Sequence, residues 1–235
     1  MSLNYTQITQ LIDRNVKSNS SSYTLADKTA DINIALDEVF ALIFEQGGTW
    51  QFDDSNHDDY PIITTDLLSG VRDYAFVDDE RGNLILDIYK VLVKNEAGIY
   101  VEVLPVDVQS EANMAGFYDG QNVTGLPTRH DKTANGIFLD KIPSYDSTDG
   151  LKIYINRESS YFDVSDTGKK PGFSGLFHEY LALKPSYMYA YRNGLVNTAV
   201  LQNEMLRMRE AIKRHYGRRE RDIKRRLIPK VENNR

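Results

Sequence analysis

The stretch LILDIYKVLVKNEAGIYVEV, Leu84 to Val103, decides the fold class. Leu84, Leu86 and Ile88 alternate with Ile85, Asp87 and Tyr89, and Val101 and Val103 alternate with Tyr100 and Glu102. This period of two sends successive side chains to opposite faces of a strand. Between the two runs, Asn95-Glu96-Ala97-Gly98 has the residues of a hairpin turn. The alternation returns at Leu151, Ile153 and Ile155 against Lys152, Tyr154 and Asn156, with Thr148-Asp149-Gly150 read as a second turn. Shorter strands are expected around Ala75 to Val77 and Gly136 to Leu139, and the aperiodic stretch from Gln109 to Thr133 reads as an exposed loop. The middle of the chain thus predicts a small antiparallel sheet or sandwich.

On both sides the period becomes helical. Ile8, Leu11, Ile12 and Val16 predict a short first helix, ended by the serine-rich run Ser18 to Ser22. A second helix is expected over 25–46, with Thr24 and Asp27 at its start, Ile32, Leu36, Val39, Phe40, Ile43 and Phe44 on one face, and Gly47-Gly48 as its stop. After Pro171-Gly172, the spacing of Leu176, Phe177, Tyr180, Met188 and Tyr191 predicts a third, with Ser174 as its cap, Pro185 as a kink and Asn193-Gly194 as its end. Leu201, Met205, Met208, Ile212 and Tyr216 form the stripe of a fourth, and Ile223 and Leu227 continue it past Gly217. Two helices before the strands and two after predict an α+β fold. Residues 1–48 and 172–235 form a helical bundle, its last helix long and basic, and residues 49–171 are an inserted β domain.

Composition narrows the function classes. With 235 residues and 41% hydrophobic content, the chain is long enough to bury a core, which excludes disorder throughout. It has no cysteine, so disulfides, thiolate metal sites and cysteine nucleophiles are excluded. Met1 to Val16 lacks the basic start and apolar run of a secretory leader, and no stretch reaches the roughly 18 apolar residues of a membrane span. Neither secretion nor membrane spanning is expected, so the Asn-x-Ser/Thr matches at Asn4, Asn19 and Asn122 carry no weight.

Charge is unevenly distributed. Asn203 to Arg235 holds 12 Lys or Arg against 5 Asp or Glu, while residues 1–202 hold 16 against 29. The basic cluster Arg218, Arg219, Arg221, Lys224, Arg225 and Arg226 is the candidate partner-contact site, for an acidic protein groove or for phosphates. Glu220 and Asp222 temper it, and a solvated helix face is the plain alternative.

Other candidate chemistry is thin. His178-Glu179 begins like a zinc-protease helix, but Ala182 stands where the second histidine belongs, so a buried or capping histidine is expected. Asp53, Asp54, His57, Asp58 and Asp59 are crowded together without the glycine and closing Glu of a calcium loop, and read as a solvated turn. There is no nucleophile elbow, phosphate loop or dinucleotide fingerprint, and no enzymatic role, cofactor or metal is expected. The 15 tyrosines suit sheet and interface packing. Tyr216, beside His215 and Arg218-Arg219, is the single place where the chain interleaves an aromatic with basic residues.

The order of these parts resembles the head-to-tail adaptor proteins of tailed bacteriophages, the ring or neck connectors beneath the portal. The residues that carry the resemblance are the helix ending at Trp50, the Asp and Asn cluster with Tyr60-Pro61, and Gly70-Val71-Arg72-Asp73-Tyr74 at the first strand. Next come Leu104-Pro105-Val106-Asp107 after a hairpin, Gly125-Leu126-Pro127 before a strand, Leu151 to Arg157, and His178 opening a helix. Within this group the resemblance leans to short-tailed, crAss-like phages. It departs from the family pattern at Pro143, which stands alone where a second proline is usual after the strand at Ile137 to Leu139.

The resemblance implies a non-enzymatic virion protein, assembled in the bacterial host cytoplasm into a ring of twelve subunits. Its helices would dock on the portal protein, its β domain would face the next neck or tail component, and DNA would pass through the ring. Two other classes stay open: a DNA-binding protein using the basic C-terminal helix, and a tail-terminator or baseplate virion protein.

Overall fold

The computed structural model describes residues 2–46, 60–76, 84–106, 123–133 and 135–219, with positions 56, 78 and 117. The chain divides into two compact units, residues 1–50 with 159–235, and residues 51–158. Among the described residues, the first holds four helices, α1 (Tyr5–Val16), α2 (Leu25–Phe44), α3 (Tyr180–Arg192) and α4 (Thr198–Arg219). The second holds seven strands among the described residues: β1 (Ile62–Leu67), β2 (Asp73–Ala75), β3 (Ile85–Lys94), β4 (Tyr100–Pro105), β5 (Arg129–Thr133), β6 (Gly136–Leu139) and β7 (Ser147–Arg157). The fold is α+β.

In the helical unit the first two helices each start at a side-chain cap. The Asn4 side chain accepts from the Gln7 amide at 2.9 Å and the Gln7 side chain accepts from the Asn4 amide at 3.0 Å, a reciprocal cap that starts α1 earlier than its apolar period suggests. Thr24 caps α2 by accepting from the Asp27 amide at 3.2 Å. The core is the meeting of four apolar stripes, among them Ile8 and Ile12, Leu36 and Phe40, Tyr180 and Leu181, and Ile212 with Tyr216. Within it two carboxylates link helices: Asp13 pairs with buried Lys28 at 2.6 Å, and buried Asp31 accepts from Tyr23 at 2.5 Å and from Arg192 at 2.6 Å.

Helix α3 begins at Tyr180, later than the Ser174 cap expected for it. Residues 174–179 form tight turns, closed by Phe177 N to Ser174 O at 3.0 Å and Tyr180 N to Phe177 O at 3.0 Å. The Ser174 amide itself donates to the Tyr216 hydroxyl at 3.1 Å, so it serves the α4 core contact. Pro185 lies inside α3 and is buried, and the helix runs on through it to Arg192. Gly194, at φ 62°, then takes the left-handed turn that ends the helix, as Asn193-Gly194 led one to expect.

The stretch 159–171 belongs with the helices, whereas the sequence reading put it in the insert. Lys169 O accepts from the Tyr5 amide at 2.8 Å, and the Asn33 side chain bonds both the carbonyl and the amide of Phe162, at 2.9 and 3.0 Å. Phe162 is buried and stacks on Tyr5 at 5.4 Å. With only one apolar anchor, these residues carry no helical period.

The sheet of the second unit has the order β1-β7-β3-β4-β5-β6-β2. Every neighbouring pair is antiparallel except β4 with β5, so the expected antiparallel sheet is mixed. Its inner face buries Ile63, Leu67, Tyr74, Val91, Val93, Val103, Ile137, Leu139, Leu151, Ile153 and Ile155. The Leu68 amide, just past β1, donates to the hydroxyl of Tyr74 on β2 at 3.0 Å, so the two edge strands of the curled sheet approach.

The Asn95 to Gly98 hairpin is present, with Gly98 at φ 78°. Other details differ from the sequence reading. Thr148-Asp149-Gly150 is a bulge inside β7, between the pairs Leu67↔Ser147 and Thr65↔Leu151, and Asp149 adopts φ 52° there. Two further irregularities in β3, between Ile85 and Asp87 and between Ile88 and Lys90, break its alternation, which is why Leu86 is exposed while Ile88 is buried. Strand β1 was not anticipated, and β5 lies inside the stretch expected to be a loop. Only His130 of β5 is buried, so β5 shows no apolar period.

Removing the Asp31 carboxylate leaves the buried Tyr23 hydroxyl without its acceptor, a loss of about 1–3 kcal/mol. Asp31→Ala is therefore expected to lower the urea midpoint of the helical unit, followed by far-ultraviolet circular dichroism. A midpoint equal to that of the unaltered protein would refute the role given to this carboxylate.

Candidate partner-contact surface

The charge asymmetry of the sequence follows the division into units. Residues 51–158 carry 9 Lys or Arg against 20 Asp or Glu, and the helical unit carries the other 19 against 14. Helix α4 is where this excess begins. Leu201, Met205, Ile212 and Tyr216 are buried along one face, each stabilising the bundle by roughly 1.5–3 kcal/mol. The helix is about 33 Å long at 1.5 Å per residue.

The cations along α4 do not all have the same role. Arg209 pairs with Glu38 of α2 at 3.2 Å, and Lys213 with Glu45 at 3.1 Å. Glu38 also accepts from Lys184 of α3 at 3.0 Å, so one carboxylate holds cations from two helices. Beside it, burial and then the charge of Glu38 push the Tyr180 phenol well above its usual range. Arg207 pairs within its own helix with Glu204, and Arg214 donates to the Glu210 carbonyl at 3.2 Å. Up to Lys213, then, much of the basic charge is held by the bundle's own acids.

Of the six proposed contact residues, Arg218 and Arg219 are the last two of α4. Arg221, Lys224, Arg225 and Arg226 lie outside the described residues, as do Asp53, Asp54, His57, Asp58 and Asp59. The structure therefore brings only the root of the cluster into view, at the end of a helix anchored by Tyr216. Tyr216 is buried with its hydroxyl bonded to Ser174, so it is a core side chain and offers no ring for stacking.

Linear reading missed a different aromatic and cationic surface, because strand register assembles it. On the outer side of β3, β4 and β7, Lys94 stands opposite Tyr100 and Lys90 opposite Tyr154. The Lys152 and Lys94 ammonium groups lie 4.3 and 5.2 Å from the Tyr100 ring centre.

His178 is buried, as expected. Its Nε2 lies 3.0 Å from Phe173 O, and its Nδ1 lies 3.1 Å from the amide and 2.9 Å from the carbonyl of Leu3. The neutral ring with its proton on Nε2 donates to Phe173 and accepts from the Leu3 amide. Burial lowers its pKa below the ordinary value, outweighing the two carbonyls that favour the charged ring. His130 is likewise lowered by burial, against the bond from its Nδ1 to Val103 O at 3.0 Å. Among the described residues no group of three or more His, Cys, Asp or Glu could hold a metal ion, and no helix is long and apolar enough to cross a membrane. No protein-family model matches the sequence, and no curated protein is significantly similar to it.

The two histidines predict an acid-side loss of stability. Above the unfolded value near pH 6.5 both states are neutral at these rings; below it the unfolded chain takes up protons first, so stability falls toward the lower folded values. Thermal unfolding between pH 8 and pH 5 should show this fall, and His178→Asn should flatten the part belonging to the helical unit. An equal slope in the variant would remove His178 from the account.

Proposed function

We propose that this chain is a structural subunit of a phage neck, forming an adaptor ring between the portal and the next neck or tail component. In this reading DNA passes through the ring and the basic C-terminal segment docks on the portal. The observation that supports it most is the division of charge by unit: a helical unit ending in a cationic segment, and an acidic β unit. Such a subunit suits two different partners, one at each unit. The resemblance in the order of parts points the same way.

A protein groove is favoured over DNA as the docking surface because Ile223 and Leu227 continue the apolar stripe among the charges. Phosphates offer nothing to bury them against, whereas a groove does. An exposed ion pair contributes only about 0–1 kcal/mol, so affinity would come from repetition around the ring.

The test is co-expression with the portal protein, reading the mass of the complex and its affinity at physiological salt. Two variants are compared: the chain ended after Tyr216, and Arg218, Arg219, Arg225 and Arg226 changed to Ser. Because Tyr216 is a buried core residue of α4, both should keep the helical unit folded. The expected result is several copies per portal for the unaltered chain and a loss of about tenfold or more in docking for both variants. Unchanged docking would make the segment a solvated tail, and a single copy per portal would overturn the ring.

A further inference from the structure

The outer face of β3, β4 and β7 is cationic on a unit that is otherwise strongly acidic. Lys90, Leu92 and Lys94 of β3, Tyr100 and Glu102 of β4, and Lys152 and Tyr154 of β7 face outward, while Val91, Val93, Val103 and Ile153 between them are buried. Lys90 is compensated by Glu102 at 3.7 Å. Lys94 donates to the Thr148 carbonyl at 2.8 Å, and Lys152 forms no ion pair among the described residues. Two ammonium groups thus converge on the single ring of Tyr100, and neither forms an ion pair among the described residues. Like charges so placed repel each other, and an anion seated beside both removes the repulsion.

At the other end of the sheet order lies β2, an edge strand. Asp73 on it and Asp78 just beyond it are exposed and form no ion pair among the described residues. Among the described residues, one body therefore carries two lysines without an ion pair on the outer sheet face and two such carboxylates at the β2 edge.

We infer that the Lys94, Lys152 and Tyr100 face receives the Asp73 and Asp78 edge of a second copy of this chain. The inference rests on the ring reading and names its lateral contact. Contact between two different surfaces of identical subunits is heterologous, the kind that generates a ring when its rotation closes. A nucleic-acid strand fits the face less well. Its bases would have to displace the lysines that already cover Tyr100 before they could stack on it.

The experiment is a charge swap in the full chain, assembled with the portal and read by native mass spectrometry. One variant carries Lys94→Glu with Lys152→Glu, the other Asp73→Lys with Asp78→Lys. Because Lys94 also bonds Thr148, Lys152→Glu alone is made as well, and unfolding midpoints check that every variant is folded. Each double variant alone should associate laterally at least about tenfold more weakly than the unaltered chain, and an equimolar mixture should recover assembly, since every contact is then complementary again. Folded Lys152→Glu, alone or with Lys94→Glu, assembling like the unaltered chain would overturn the inference and leave the ring reading standing. Failure of the unaltered chain to exceed one copy per portal would overturn both. Unimpaired assembly together with lost retention of a labelled single-stranded oligonucleotide would overturn it in favour of nucleic acid.

Discussion

The return of residues 159–178 onto the first two helices is the contact on which the helical unit depends. It joins two chain segments separated by more than one hundred residues, and it does so mostly with backbone groups: Lys169 O with the Tyr5 amide, Phe162 with the Asn33 side chain, and Leu3 and Phe173 with the two nitrogens of His178. Closing so long a loop costs entropy that grows only slowly with its length. A few buried, fully paired contacts with Phe162, Phe173 and Phe177 in the core therefore suffice to hold the halves together. His178 is suited to this position because one ring presents a donor and an acceptor in opposite directions. An apolar residue of similar size would leave the Leu3 amide and the Phe173 carbonyl without this ring as a partner.

The β unit meets a related constraint in a different way. Its sheet must curl far enough for the end of β1 to reach Tyr74 on β2. The irregularities in β3 and β7 supply local twist, since an extra residue on one strand bends it against its partner. At Gly150 the close approach is explicit: a Cβ there would lie 2.5 Å from the Leu67 Cβ and 2.6 Å from the Ser147 carbonyl. The Asp149 amide donates to Asp66 at 2.9 Å across the same bulge, and the Tyr100 hydroxyl donates to the Asp149 carbonyl at 2.6 Å. The bulge thus ties β1, β7 and β4 together, and it fixes the register that places Lys152 above Tyr100.

What could be read from sequence was whatever depends on neighbours in the chain. The Thr24 cap, the Gly98 and Gly194 turns and the apolar faces of α2 and α4 are local, and the structure has them. The strand Arg129 to Thr133 shows the limit: its five residues are polar or charged, and it is a strand because Leu139 and Pro105 pair with His130 on its two sides. The β3 bulges are equally invisible, since a bulge is defined by the partner strand. The Asn4 and Gln7 cap was written in the sequence, but an apolar period cannot reveal a cap that precedes it. Of the candidate contact cluster only Arg218 and Arg219 fall within the described residues, so its legibility in sequence stands without a structural counterpart beyond the helix that leads to it.

The same distinction explains why a count of basic residues overstates what a partner meets. Arg209 and Lys213 belong to the block that makes the C-terminal segment so basic, yet Glu38 and Glu45 hold them against α2. Glu38 is largely buried, and removing one cation from it would leave Lys184 still in place, so this pairing is shared and robust. Conversely, Lys94 and Lys152 belong to the unit with the large acidic excess, and by net charge they would be dismissed. At physiological salt the Debye length is about 8 Å, so an ion approaching either surface responds to the few groups within that distance and much less to the total. The local field is set by which cations already have a carboxylate, a property of the packed structure, and by that measure Lys94 and Lys152, which form no ion pair among the described residues, stand apart from Arg209 and Lys213.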